Sequence, residues 1–150
     1  MSISHRMMLA ATVIGCALAT TAASAAEIDV KLLDKGSNGA MMVFEPALVK
    51  VAPGDTVHFI AVDKNHDVAS IPNMIPAGAQ PFAGKMSQDL AVTFTQPGIY
   101  GVKCTPHYAL GMVALVVVGD PGVNLAAAKG VSQFGKAKAD IADLFARLGQ

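Results

Sequence analysis

Between residues 27 and 119 the chain consists of short segments in which apolar and polar side chains alternate. Gly, Pro, Asn and Asp separate one segment from the next, and these residues favour turns. Such alternation is typical of β-strands that bury one face. The segments occupy residues 28–32, 41–44, 47–51, 56–62, 90–95, 99–104 and 112–118, and the last of them departs from the alternation because it is apolar throughout. Their spacing predicts an all-β protein built as an antiparallel sandwich or barrel.

Two regions depart from this pattern. Residues 63–89 are too long and irregular for a hairpin loop, and a connection of that length is often functional. After residue 122, apolar side chains recur three and four positions apart, which predicts an amphipathic helix over residues 132–148 after a short helical turn near residues 124–129. We expect the apolar side of this helix to cover the open edge or an end of the sandwich.

The first residues have the pattern of an export signal. Residues 1–6 carry one arginine and no acidic residue, and residues 7–19 form an apolar run. That run is shorter than the ~20 residues needed to span a membrane. It leads into Ala23-Ser24-Ala25, a cleavage site of the Ala-x-Ala type. We predict a signal at residues 1–25, or 1–26, and one domain over residues 26–150.

The charge balance narrows the choice of partners. The 11 basic and 11 acidic side chains cancel, and charged residues make up 15% of the chain. A neutral balance does not favour nucleic acid as a partner, and the sequence has no run of Lys and Arg that would bind another strongly anionic surface. We expect no membrane contact once the signal is removed, and we expect a monomer.

Removal of the signal would leave Cys104 as the only cysteine, because Cys16 lies within the signal. Exported proteins usually pair their cysteines, so a single one needs another role. His107 and Met112 follow Cys104 in a loop between two predicted strands. A thiolate, an imidazole and a thioether are donors suited to copper, and a trigonal copper site needs one more histidine.

The additional histidine is either His58 or His66. His58 lies within a predicted strand, whereas His66 lies at the end of one, which makes His66 the better candidate. Taken singly, Cys104, Met112 and His66 are each more readily explained as structural residues, Cys104 and Met112 as small or flexible side chains of an apolar core. Their combination and spacing favour a copper site. Zinc is disfavoured because a methionine ligand suits it poorly.

The chain resembles the pseudoazurins, type I blue-copper proteins of the cupredoxin family, over nearly all of residues 26–150. The likeness includes residues 36–46 (GSNGAMMVFEP), 53–57 (PGDTV) and 104–108 (CTPHY). It implies an eight-stranded Greek-key β-sandwich with two C-terminal α-helices, and one copper ion that alternates between Cu(I) and Cu(II). The implied ligands are His66, Cys104 and His107, with Met112 as a weak axial ligand. The implied role is that of a periplasmic one-electron carrier whose transient partners are a copper nitrite reductase or a cytochrome.

Further residues are expected close to these ligands. Pro106 has no N–H group, so the amide of Asp67 is the expected donor to the Cys104 sulfur, and one donor fewer predicts a lower reduction potential. Asp67 stands where the family has asparagine, which puts in doubt how this residue holds the ligand loop. Met42 is a candidate neighbour of the site and equally a candidate core residue.

His107 is the expected electron port, inside an apolar rim formed by Pro106, Ala109 and Leu110. Such a patch suits brief docking. The family surrounds the port with lysines that steer acidic partners, and the matching residues are Lys35, Lys64 and Lys103, with Lys85 as a further candidate. Pro72, Pro81 and Ala83 replace lysines of the family and thin this ring, and Leu110 replaces a methionine.

Two other functions are open from the residues alone. The first is a periplasmic protein that stores or delivers copper. The second is an enzyme in which His107 activates a Cys104 nucleophile, but that pair has no evident orienting carboxylate. We do not expect an enzyme, because four protein donors leave no position for a substrate or an activated water.

Overall fold

The computed structural model describes residues 24–149, so the predicted signal lies outside the described residues except for Ser24 and Ala25. Within these residues the chain forms eight strands, two α-helices and two short 3-10 helices, at Tyr108–Leu110 and Pro121–Val123. The strands are β1 (Glu27–Lys35), β2 (Met41–Glu45), β3 (Leu48–Val51), β4 (Thr56–Ala61), β5 (Ala69–Ser70), β6 (Leu90–Thr93), β7 (Gly98–Lys103) and β8 (Val113–Val118). The helices are α1 (Leu125–Gly130) and α2 (Ala137–Leu148). This architecture confirms the predicted all-β fold with two C-terminal helices.

The strands form two sheets, in the orders β2-β1-β4-β6 and β3-β8-β7-β5. Strand β5 lies within residues 63–89, where the alternation of side chains predicts none, and it pairs with β7. No helix within residues 24–149 is long and apolar enough to cross a membrane.

Two of the strand pairings are parallel, so the prediction of an antiparallel sandwich is wrong in this respect. Strand β1 runs parallel to β4, and β3 runs parallel to β8. The chain leaves the first sheet after β2, forms β3 in the second sheet, and returns as β4 in the same direction as β1. The C-terminal ends of β1 and β4 therefore lie at the same end of the sandwich.

The inner faces of the two sheets enclose a core with a row of aromatic rings. Phe59 is 1% exposed and contacts Phe44 edge-on, with ring centroids 6.2 Å apart. It also stacks on Phe82, with centroids 6.3 Å apart. Phe94 continues the row from Phe82 to Tyr100, at 5.9 and 4.8 Å. Aromatic pairs at these separations add to the free energy gained by burying the rings.

Both faces of β8 are covered, which explains why all its residues are apolar. Ala114, Val116 and Val118 point into the main core between the sheets. Val113, Leu115 and Val117 point outward and pack with buried residues of the two helices, namely Ala128, Ala137, Ile141 and Leu144. The helices thus cover the outer face of the second sheet, and the prediction that they cover an edge or an end is wrong.

Helix α2 begins at Ala137, five positions later than the periodicity predicts. The preceding residues turn back toward the loop that carries Cys104 and His107. The Tyr108 hydroxyl donates a hydrogen bond to Gln133 Oε1, and the Phe134 ring meets the Tyr108 ring with centroids 4.8 Å apart. Gly135 has a φ of 58°, and the amide of Lys136 donates to Ala109 O over 2.9 Å. Contacts with a distant loop therefore replace the first turn of the predicted helix.

A Gly135→Ala substitution is expected to destabilise the fold by about 1–3 kcal/mol, because its backbone is in the left-handed region. A Cβ at this position would also lie 2.5 Å from Ala109 O. Gly130→Ala is the matched control, since a Cβ there has nothing within 4 Å. Urea unfolding of both variants measures the difference, and an equal effect of the two substitutions would contradict the prediction.

Candidate metal centre

Three potential metal-binding side chains meet at one end of the sandwich. His66 Nδ1, Cys104 Sγ and His107 Nδ1 all lie within 4.8 Å of one another. The sulfur is 3.7 Å from His66 Nδ1 and 3.5 Å from His107 Nδ1, and the two nitrogens are 3.0 Å apart. His66 and Cys104 are fully buried, whereas His107 is half-buried. Among the three, only His107 reaches the surface.

The loop between β7 and β8 positions Cys104 and His107. Cys104 directly follows β7 and Met112 directly precedes β8, so the antiparallel pairing of these strands brings the two residues together. The Cys104 amide donates to Met112 O over 3.0 Å, and the Met112 amide donates to His107 O over 3.2 Å. Gly111 closes the turn with a φ of 91°. The loop is therefore held by its own backbone, with Met112 fully buried at its base.

His66 reaches the cluster from the segment that follows β4. Its carbonyl accepts a hydrogen bond from the Ser87 amide over 2.7 Å. The Ser87 hydroxyl in turn accepts from the Asn65 amide over 2.8 Å. The backbone on both sides of residues 65 and 66 is thus held by residue 87, more than twenty positions later in the chain.

Asp67 holds the ligand loop by accepting a hydrogen bond. Its Oδ1 accepts from the Thr105 amide over 2.5 Å. A carboxylate cannot donate as an asparagine amide can, so the sequence alone leaves this contact in doubt. The loop presents an N–H group at this point, so an acceptor suffices.

Burial raises the pKa of the Cys104 thiol. The backbone amides of Asp67 and His107 act in the opposite direction, and the negative charge of Asp67 raises the pKa further. The sequence predicts an influence of the Asp67 amide on this sulfur and does not predict that of the His107 amide. Because the thiolate is the form that binds metal, metal binding has to displace a proton from this sulfur.

One side chain that contacts the cluster is not predicted from the sequence. Asp34 Oδ1 lies 3.0 Å from His66 Nε2, the ring nitrogen that faces away from the sulfur. Asp34 lies near the end of β1, and the parallel pairing of β1 with β4 brings it beside the segment that carries His66. Local sequence patterns carry no signal for this contact, since they do not reveal which strands pair.

The other predicted residues have the following positions. His58 lies outside the cluster, with Nε2 3.7 Å from Glu27 Oε2. Met42 is half-buried, packs against the main core and has a φ of 56°. Of the residues expected around the electron port, the exposed ones are Pro106, Ala109, Leu110, Lys35, Lys64 and Lys85, together with Pro72, Pro81 and Ala83. Lys103 is half-buried, with its Nζ 5.2 Å from the centre of the Tyr108 ring.

The cluster fits a copper ion. Two imidazole nitrogens and one thiol lie within 4.8 Å of one another, and the buried thioether of Met112 belongs to the loop that carries Cys104 and His107. This set combines soft and borderline donors in the proportion that copper prefers.

Several known proteins are similar to this chain in sequence and in fold. Residues 30–119 match the sequence family described as copper binding proteins of the plastocyanin/azurin family. The chain is 46% identical to the pseudoazurin of Methylorubrum extorquens over 144 residues, which cover 95% of this chain and 97% of that relative. It is 46% identical to the pseudoazurin of Paracoccus pantotrophus over 125 residues, which cover 83% and 85%. The solved structure of native pseudoazurin from Hyphomicrobium denitrificans matches with a TM-score of 0.78 at 40% identity and covers 83% of this chain and 99% of that one.

Proposed function

The chain belongs to the pseudoazurins, within the plastocyanin/azurin family of copper-binding proteins, and from this premise we propose that it carries single electrons between redox proteins of the periplasm. Bound copper supplies a one-electron couple, Cu(II)/Cu(I). The observation that carries the proposal is the meeting of His66 Nδ1, Cys104 Sγ and His107 Nδ1 within 4.8 Å. The runner-up is a protein that stores or delivers copper.

We propose His66, Cys104 and His107 as the strong copper ligands and Met112 as the weak axial ligand. Two features support this assignment. Three of the four donor atoms, His66 Nδ1, Cys104 Sγ and His107 Nδ1, lie within 4.8 Å of one another, and backbone hydrogen bonds of Cys104 and Met112 hold the loop that carries three of the four residues. A loop held in this way keeps the ligands in place when the oxidation state changes, which fast electron transfer requires.

We propose the surface around His107 as the docking site for partners. Leu110 is 54% exposed, and Pro106 and Ala109 are exposed beside it in the same loop. A small apolar rim excludes water during a brief encounter without the area needed for a lasting complex. The lysines predicted to steer acidic partners are Lys35, Lys64, Lys85 and Lys103. A copper nitrite reductase and a cytochrome are the proposed partners, and we propose that the protein acts as a monomer.

Addition of Cu(II) to the purified apoprotein tests the function. An electron carrier should turn intensely blue through thiolate-to-copper charge transfer, bleach on reduction and recover its colour on oxidation. A protein that delivers copper should instead bind Cu(I) in an exchangeable way and show no such reversible colour. If the protein stayed colourless with copper and alkylation of its thiol abolished an activity, the result would favour a thiol enzyme.

We further propose that the protein is exported and that the signal is cleaved after Ala25. The Ala26 amide donates to Asp55 Oδ1 over 2.8 Å, and Ala26 O accepts from the Thr56 amide over 2.9 Å. The amides of Ala26 and Ala52 lower the pKa of Asp55, which is 8% exposed. Cleavage after Ala25 would keep both Ala26 contacts and turn its nitrogen into an ammonium group beside this carboxylate, whereas cleavage after Ala26 would remove them.

The expected mature protein therefore comprises residues 26–150. Expression of the full chain in a Gram-negative host, followed by intact-mass measurement of the periplasmic fraction, checks this result. A product that begins at Glu27, or a full-length product that stays with the membrane, would contradict the proposed cleavage.

A further inference from the structure

Within the described residues 24–149, Asp34 is the only acidic side chain with an oxygen within 4.0 Å of a ring nitrogen of His66. Its Oδ1 lies 3.0 Å from His66 Nε2, while the opposite nitrogen, Nδ1, faces Cys104 and His107. The His66 side chain is fully buried, whereas that of Asp34 is 57% exposed. The carboxylate thus reaches a buried ring from the surface.

The position of Asp34 is set by backbone contacts. The Asp34 amide donates to Asp63 Oδ2 over 2.7 Å, and the Asp63 amide donates to Leu32 O over 3.2 Å. These two bonds tie the end of β1 to the segment after β4. The carboxylate is therefore held toward His66 by the fold as well as by its own hydrogen bond.

The chemistry of this contact determines which nitrogen of His66 carries hydrogen. A carboxylate can only accept, so Nε2 must donate, and Nδ1 is left with its lone pair directed at the cluster. A histidine that binds metal through one nitrogen is commonly oriented in this way by a carboxylate or a carbonyl at the other. Unlike a neutral carbonyl, a carboxylate also brings a negative charge close to the site.

We propose that Asp34 is a positioning residue that orients His66 and lowers the reduction potential of the copper site through its charge. This inference rests on the proposed ligand role of His66. A negative charge stabilises the more positive oxidised site relative to the reduced one, so the carboxylate favours Cu(II). Because His66 is buried, little water screens the charge on the side of the copper site. Solvent around the exposed part of Asp34 does screen it and so limits the shift in reduction potential.

Asp34→Asn tests the charge, because asparagine keeps an oxygen that can accept from Nε2. We expect the equilibrium constant for reduction of the site, measured against a fixed one-electron reference couple, to increase about 3- to 10-fold. A tenfold change corresponds to 59 mV for a one-electron couple. Asp63→Asn is the matched control, since it removes a nearby charge and keeps an acceptor for the Asp34 amide. The control should change the equilibrium constant less than about twofold.

Asp34→Ala tests the orientation in the apoprotein, where no metal contributes. Long-range ¹H–¹⁵N NMR should show hydrogen on Nε2 of His66 in the wild type and in Asp34→Asn. The Asp34→Ala variant should lose this preference. Far-UV circular dichroism and urea unfolding establish that each variant is folded.

Two outcomes would overturn the inference. One is a change in Asp34→Asn no larger than that in Asp63→Asn, and the other is an unchanged tautomer of His66 in Asp34→Ala. Failure of the proposed function has a different signature, because the wild-type apoprotein would then form no blue copper site.

Discussion

A Cys104→Ser variant is expected to lose the blue colour completely after addition of Cu(II). The colour arises from charge transfer between a thiolate and copper, and Cys104 is the only cysteine in residues 26–150. A serine hydroxyl is close in size to the thiol but cannot supply this transition. Absorption spectra of the copper-loaded wild type and variant provide the measurement.

The control for this experiment is His58→Gln. His58 is an imidazole of the same chain that lies outside the cluster, and its removal should leave the blue colour intact. Unfolding of the apoprotein shows whether Cys104→Ser keeps the fold. A folded Cys104→Ser variant that stayed blue would refute the assignment of the site, and loss of colour in His58→Gln would mean that the wrong histidine has been chosen.

A Phe59→Ala substitution should lower the free energy of unfolding by about 3–5 kcal/mol. Phe59 is 1% exposed and lies between the rings of Phe44 and Phe82. Truncation to alanine would remove buried apolar surface and leave a cavity that the two flanking rings can fill only in part. Equilibrium unfolding of the apoprotein in urea measures the loss.

Phe134→Ala provides the comparison, because Phe134 is 58% exposed and contacts one aromatic ring, that of Tyr108. Loss of that contact should cost no more than about 1.5 kcal/mol. If Phe134→Ala destabilised the protein as much as Phe59→Ala, the row of rings between the sheets would not be the main source of stability.

Seven of the eight strands could be predicted from the sequence. Burial of one face imposes alternation on a segment, and burial of both faces makes it apolar throughout, as in β8. The short strand β5 could not be predicted, since its two residues are too few to display a period. The start of α2 also differs from the prediction, because contacts with a distant loop override the local periodicity. Residues 131–136 keep the helical spacing of apolar side chains, but Gln133 and Phe134 bind Tyr108 in a distant loop instead.

In the candidate site as well, residues that are close in sequence can be predicted together and distant ones cannot. Cys104, His107 and Met112 are close in sequence, so their spacing in one loop already indicates a common role. His66 lies 38 positions before Cys104, and the preference for it over His58 rests on strand position and family resemblance. Asp34 is 32 positions before His66 and gives no local signal.

The sequence by itself determined seven of the eight strands, the export pattern of the first residues and the donor types for copper, because each depends on residue type or on spacing within one segment. The tertiary structure alone decided that β1 and β4 run parallel, that the helices cover a sheet face, and that Asp34 meets His66. These features depend on which distant segments pack together, and that choice follows from the summed burial and hydrogen bonding of the whole domain. Cys104, His107 and Met112 can thus be proposed as ligands from their neighbours in the chain, whereas the contact between Asp34 and His66 is known only once the chain is folded.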